Sequence, residues 1–137
     1  MACRQCGLAR TLEEIAKASD IPKKRIGESY RLLLRELGYQ SLVQKPENYV
    51  SKILNTLGVT GKTEELAYKT LRAAREARLT SGRGPTGVAA AACYVASVLT
   101  GERITQKDIS EMIGCTEVTI RNRYKDLMER LMFEVYL

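Results

Sequence analysis

TQKDISEMIGCTEVTIRNRYKDLMERL (residues 105–131) and TLEEIAKASDIPKKRIGESYRLLLREL (residues 11–37) are one helical unit written twice, 94 positions apart with no gap. Six positions are identical: Thr11/Thr105, Ile15/Ile109, Ile26/Ile120, Tyr30/Tyr124, Leu33/Leu127 and Leu37/Leu131. All but the threonine are apolar, so what repeats is a core. The threonine repeats because it starts a helix. Thr11-Leu-Glu-Glu14 has the form of a capping box, and Thr105 with Asp108 is a weaker version of it. The surface between these positions does not repeat, and that difference carries the function.

Working outward, every well-marked segment reads as helix. The first copy opens a short helix at Thr11 that runs to about Ala18. Pro22 suits the first turn of the next helix. Ile26, Tyr30, Leu33, Leu34 and Leu37 fall on one stripe, closed by Gly38. Residues 39–45 read as a linker. A second series begins at Pro46, with Tyr49, Val50, Ile53, Leu54 and Leu57 on one face and Gly58 as the stop. Thr63 is expected to cap a helix carrying Leu66, Ala67, Leu71 and Ala74. Ser81-Gly-Arg-Gly-Pro85 reads as a turn. From Thr86 to about Leu99 the chain is apolar almost all round, the pattern of a centrally buried helix whose alanines admit close neighbours. Gly101 stops it. Thr105 and Thr116 open the last two helices.

The expected fold is therefore all-α. Residues 46–137 form one complete five-helix repeat with a helix-turn-helix at 104–131. Residues 1–38 match only the tail of its third helix and its last two helices. A repeat cut in this way cannot bury both of its faces alone.

Composition narrows the function. The 137 residues are 45% hydrophobic and 28% charged, enough apolar content for a real core. The net charge of +6 favours a polyanionic partner. No run of eighteen apolar residues and no charged start leading into an apolar stretch is present, so no membrane partner is expected and the cytoplasm is the expected location. The absence of histidine removes the commonest general base and metal ligand. GRGPTG is too short for a phosphate-binding loop and lacks its Gly-Lys-Ser/Thr end. No enzymatic activity and no cofactor are expected. Cys3-Arg4-Gln5-Cys6 has CxxC spacing but no second ligand pair to complete a zinc site. It reads instead as two thiols near the end of a buried helix, and Cys93 reads as a small core residue.

In a helix-turn-helix the second helix enters the major groove. With Ile120 and Tyr124 facing the core, Val118, Arg121, Asn122 and Lys125 lie on the opposite face. An arginine there can donate two bonds to a guanine edge, and a valine can touch a thymine methyl. Lys107 and Arg123 suit phosphate contacts, which position without specifying. From spacing alone, a soluble helix hairpin without base reading is an equal alternative. In the first copy the positions of Glu117, Val118 and Arg121 are Lys23, Lys24 and Gly27. That basic cluster could meet an acidic protein face or phosphate, although spacing alone favours a solvated charge run.

RTLEEIAKASDIPKKRIGESYR, TSGRGPTGVAAAACYVASVLTGERITQKDI and TEVTIRNRYK closely resemble the core of the general transcription factor IIB family in its archaeal form, transcription factor B. The three motifs occur in order and at the right spacing across essentially the whole chain. The resemblance implies two cyclin-like repeats of five helices that bind the TATA-box-binding protein on promoter DNA, read a purine-rich upstream recognition element, and recruit RNA polymerase. It implies that Val118 and Arg121 contact bases and that Lys23 and Lys24 face the TATA-box-binding protein. It places Arg83 near the DNA backbone. It implies a nucleoid-associated protein. Family members begin with a zinc ribbon and a segment that enters the polymerase cleft. Neither is in this sequence, so a fragment or truncated paralogue is expected, without polymerase recruitment through the ribbon. The same five-helix unit also serves in cyclins as a protein-interaction module, which is the alternative reading.

Overall fold

A computed structural model describes residues 1–38, 44–59 and 61–133. The described residues form eight helices and no strand: α1 (Ala2–Gln5), α2 (Leu12–Ser19), α3 (Lys23–Glu36), α4 (Glu47–Leu57), α5 (Gly61–Glu76), α6 (Pro85–Thr100), α7 (Gln106–Ile113) and α8 (Glu117–Arg130). The chain divides into two compact units, Met1–Gln44 and Lys45–Leu137. Most of the expected linker, residues 39–43, lies outside the described residues.

The second unit is built around α6. Ala89, Ala90, Ala91, Ala92, Cys93, Val95 and Ala96 have no solvent exposure at all. Helices α4, α5, α7 and α8 all pack against this one helix. Short side chains make that possible, because they let neighbouring backbones approach. The neighbours supply the bulk that α6 lacks. On α4, Tyr49, Val50, Ile53 and Leu54 are buried on one face. Truncating a residue such as Ile53 in a core this tight costs about 2–5 kcal/mol. Toward α8, Ala74, Leu79, Ala91, Val95 and Leu127 form one buried cluster, with Tyr124, Leu99, Leu131 and Phe133 packed against it. Tyr94 and Tyr124 meet edge to face, centroids 5.1 Å apart, a favoured aromatic geometry.

Two expectations about this unit are corrected. Thr63 is not a cap: α5 begins at Gly61, and the Thr63 hydroxyl is fully buried. It lies 2.7 Å from the Thr100 hydroxyl and donates to Glu102 Oε2 at 2.5 Å. A buried hydroxyl needs partners, and the far end of α6 provides them. Pro85 belongs to α6 as its first residue, not to the preceding turn, since its missing N–H is of no use at that position anyway.

The first unit contains α2 packed on α3. Its elements repeat those of the second unit residue for residue: α2 and α7 both have 8 residues, and α3 and α8 both have 14. Pro22 precedes α3 as its cap residue, where its first turn was expected. The burial does not repeat. Leu127 is 3% exposed, whereas its counterpart Leu33 is 47% exposed. In the first copy the stripe borders a groove of about 510 Å³ with Ile15, Ile26, Tyr30 and Leu33 in its wall. In the second copy α7 and α8 pack on α6. The two thiols Cys3 and Cys6 lie on or beside the one-turn helix α1, which buries no residue. They are therefore not at the end of a buried helix, because one turn offers too little surface to be enclosed.

Two tests address the core. Burial pushes the Cys93 thiol well above the ordinary range, and the Glu64 carboxylate adds to the effect. Cys6 is exposed. A short pulse of iodoacetamide on native protein should label Cys6 and leave Cys93 unmodified until the chain unfolds. Equal labelling rates, read by mass spectrometry, would contradict a central α6. The second test concerns Gly87, where a Cβ would sit 3.0 Å from Thr119 Cγ2. Gly87→Ala should destabilise by about 1 kcal/mol, because the clash outweighs the helix-propensity gain. Adding Thr119→Ser, which removes that methyl, should make Gly87→Ala neutral or stabilising. Urea unfolding of the four proteins decides, and simple additivity would rule the contact out.

Candidate nucleic-acid interface

The site grows from three local devices that fix one helix hairpin. Thr105 caps α7: its hydroxyl accepts the Asp108 backbone N–H at 3.0 Å, and the Asp108 carboxylate accepts the Thr105 backbone N–H at 3.1 Å. The Thr105 hydroxyl also donates to the Asp108 carboxylate at 2.6 Å, and this bond, then the one from the Thr105 backbone N–H, with a smaller contribution from the Lys107 charge, hold the Asp108 carboxyl below its usual range. Gly114 turns the chain out of α7 in the left-handed conformation, φ 66°, where a Cβ would be strained. Thr116 then caps α8 by accepting the Thr119 N–H at 3.2 Å. The first copy uses the first two of these devices, since Pro22 offers no side-chain cap to α3. Thr11 and Glu14 form the capping box, but the left-handed turn is made by Asp20, φ 55°, one of the few non-glycine residues that tolerate it.

The orientation of α8 follows from its inward side. Ile120 and Leu127, two turns apart, are buried, and Tyr124 is half-buried against the core. The opposite side carries Val118, Arg121, Asn122 and Lys125, all exposed. Val118 is 60% exposed. Among the described residues, Arg121 and Lys125 take part in no ion pair. Their donors face outward on the N-terminal and middle turns of the helix, the part that meets base edges in a helix-turn-helix.

The other sequence-derived candidates fall into two groups. Lys107 is on α7, exposed, and only loosely paired with Glu111 at 3.8 Å. Arg83 and Arg123 are brought together. Both donate to the same carboxylate oxygen, Oδ2 of Asp126, Arg123 from 3.0 Å. Partial burial raises the Asp126 carboxyl, but Arg83 and then Arg123 outweigh it and hold it below its usual range. Asp126 was not a candidate from sequence. Its spacing from Arg123, three positions along one helix, was a visible signal. Arg83, 43 positions earlier, gave none.

In the first unit Lys23 is ion-paired with Glu13, and Lys24 is exposed. Gly27, at the position of Arg121, is buried. A Cβ there would lie 3.6 Å from Arg31 Nη1 and 4.0 Å from Leu12 Cδ1. The first hairpin thus has no side chain where the second presents its free arginine. Among the described residues no cluster of three or more Cys, Asp or Glu could hold a metal ion, and no helix is long and apolar enough to cross a membrane.

The family profile described as the transcription factor TFIIB repeat matches residues 39–130. The transcription initiation factor IIB of Archaeoglobus fulgidus is 52% identical over 136 residues, covering 99% of this chain and 42% of that protein. That of Methanoculleus marisnigri is also 52% identical, with 99% and 40% covered. That of Methanocaldococcus jannaschii is 53% identical, with 99% and 20% covered. The chain thus spans at most about two-fifths of the length of these relatives, which are named as initiation factors and not as enzymes. A profile match over most of its length, on a helical unit repeated with identical spacing, makes this chain a member of the transcription initiation factor IIB family.

Proposed function

We propose that this chain binds the complex of the TATA-box-binding protein with promoter DNA, and that α7 and α8 read the upstream recognition element. In this reading residues 46–137 are a complete cyclin-like repeat and residues 1–38 the end of another. The observation that carries it is the outward row on α8. Ile120 and Leu127 lock the helix from behind, so Val118 and Arg121 are presented at fixed height and angle. Arg121 would donate to a guanine edge and Val118 would contact a thymine methyl. Asn122 and Lys125 extend the row, while Lys107, Arg83 and Arg123 would meet phosphate and supply salt-dependent affinity.

The first unit takes the partner role. Its hairpin lacks a base-reading side chain at Gly27 but keeps Lys23 and Lys24 at the start of α3. These lysines would face an acidic surface of the TATA-box-binding protein. Lys24 is the freer of the two, since Lys23 is already paired with Glu13, although a pair this exposed is weak. In a full-length factor the assembly would recruit RNA polymerase.

A gel-shift titration tests the reading, using promoter DNA with the purine-rich element intact or scrambled, with and without the TATA-box-binding protein. Wild-type protein should supershift the complex, less strongly on the scrambled element. Arg121→Ala should remove about 1–3 kcal/mol of that preference, roughly a 5- to 150-fold ratio, and leave the melting temperature within a degree or two. Equal loss on both DNAs would make Arg121 a phosphate contact. A wild-type supershift indifferent to the element would leave docking without base reading.

A further inference from the structure

We propose that Asp126 is a positioning residue for the DNA backbone: its carboxylate ties Arg83 to Arg123 and presents the two guanidiniums as one rigid pair to adjacent phosphates. This rests on the reading of α7 and α8 given above.

Among the described residues, the other ion pairs of the second unit set one charge against one, including Arg75–Glu47, which also joins two helices. Lys69–Glu65 and Lys107–Glu111 join neighbours one turn apart, with side chains about two-thirds exposed. Asp126 instead serves two arginines from different elements, the turn before α6 and the middle of α8. The three side chains are only 25%, 30% and 32% exposed. Leu79, Val88 and Leu127 lie beneath them, and the space left among these residues is about 10 Å³. That is at most one water, so the stems are packed and no ligand sits inside the cluster.

The charges do not cancel. Two guanidiniums against one carboxylate leave one positive charge. Each guanidinium has five N–H donors, and the bond to Asp126 Oδ2 uses one, so donors remain for a phosphate. On the helical wheel of α8, Arg123 and Asp126 lie to one side of the row Val118, Arg121, Asn122 and Lys125. A duplex meeting that row with its bases would bring its backbone over this flank. Arginine carries large rotamer entropy. Holding two of them in place beforehand removes that cost from binding and fixes the angle at which α8 enters the groove.

The internal repeat provides a control. Ninety-four positions earlier, Asp126 is replaced by Leu32 and Arg123 by Ser29. The clamp is absent from the hairpin that also lacks the base-reading arginine.

The test turns on a sign. Removing an acidic residue from a DNA-binding surface should tighten binding through charge alone. Positioning requires the opposite. The binding of full-length chain to the promoter complex above should be measured across a salt series for wild type, Asp126→Asn and Asp126→Glu. Asp126→Asn is expected to weaken binding about tenfold and to flatten the salt dependence by between one and two phosphate contacts. Asp126→Glu should recover most of both. If Asp126→Asn melts early, Arg83→Lys carries the test. It keeps the charge but loses the fork, and should lose affinity to a similar degree. Wild-type binding with equal or tighter binding by Asp126→Asn, or by a folded Arg83→Lys, overturns this inference alone. No binding by wild type overturns the underlying reading and this inference with it.

Discussion

The structure depends on the burial of one helix that has almost no bulk of its own. Helix α6 has ten buried residues, and most of them are alanine, glycine, valine or cysteine. Such a helix contributes little volume. What it contributes is nearness, because four neighbours can settle on it at close range. The position of α8 is inherited from that contact. Gly87 meets Thr119 at the start of α8, and Leu127 enters the cluster with Ala91 and Val95 further along. Two contacts about two turns apart define an axis, and the outward row is a consequence of that axis.

Much of this was legible in the chain because it is local. A capping box, a glycine turn and a second threonine cap lie within a dozen residues, and no distant partner is needed to form them. The central place of α6 was legible for a different reason: a stretch that is apolar on every side has no face to give to water. What stayed hidden depends on distance or on cover. The hydroxyl of Thr63 looked like a cap because caps are made by threonines. Its real partners, Thr100 and Glu102, are 37 and 39 positions away. The link from Arg83 to Asp126 was invisible for the same reason. A stripe such as Ile26, Tyr30 and Leu33 tells which face is apolar. It does not tell whether anything lies on that face, and Leu33 is about half exposed.

The two hairpins separate scaffold from surface within a single molecule. Helix lengths, the threonine capping box of the first helix and the left-handed turn are shared, even where the turn residue changes from glycine to aspartate, whereas the second helix starts at a proline in one copy and at a capping threonine in the other. The outward positions are not shared: valine becomes lysine, arginine becomes glycine, and aspartate becomes leucine. A shared helix framework with different surface chemistry lets one fold present two different faces within one chain.

The exposure of Val118, Arg121, Asn122 and Lys125, set against the complete burial of Ile120 between them, has an evolutionary consequence. Foldedness and selectivity are written on alternate sides of the same helix turns. Substitutions in the outward row leave the packed side untouched, so they are invisible to selection for stability. The chemistry that the outward row presents can therefore change while the framework beneath remains unchanged.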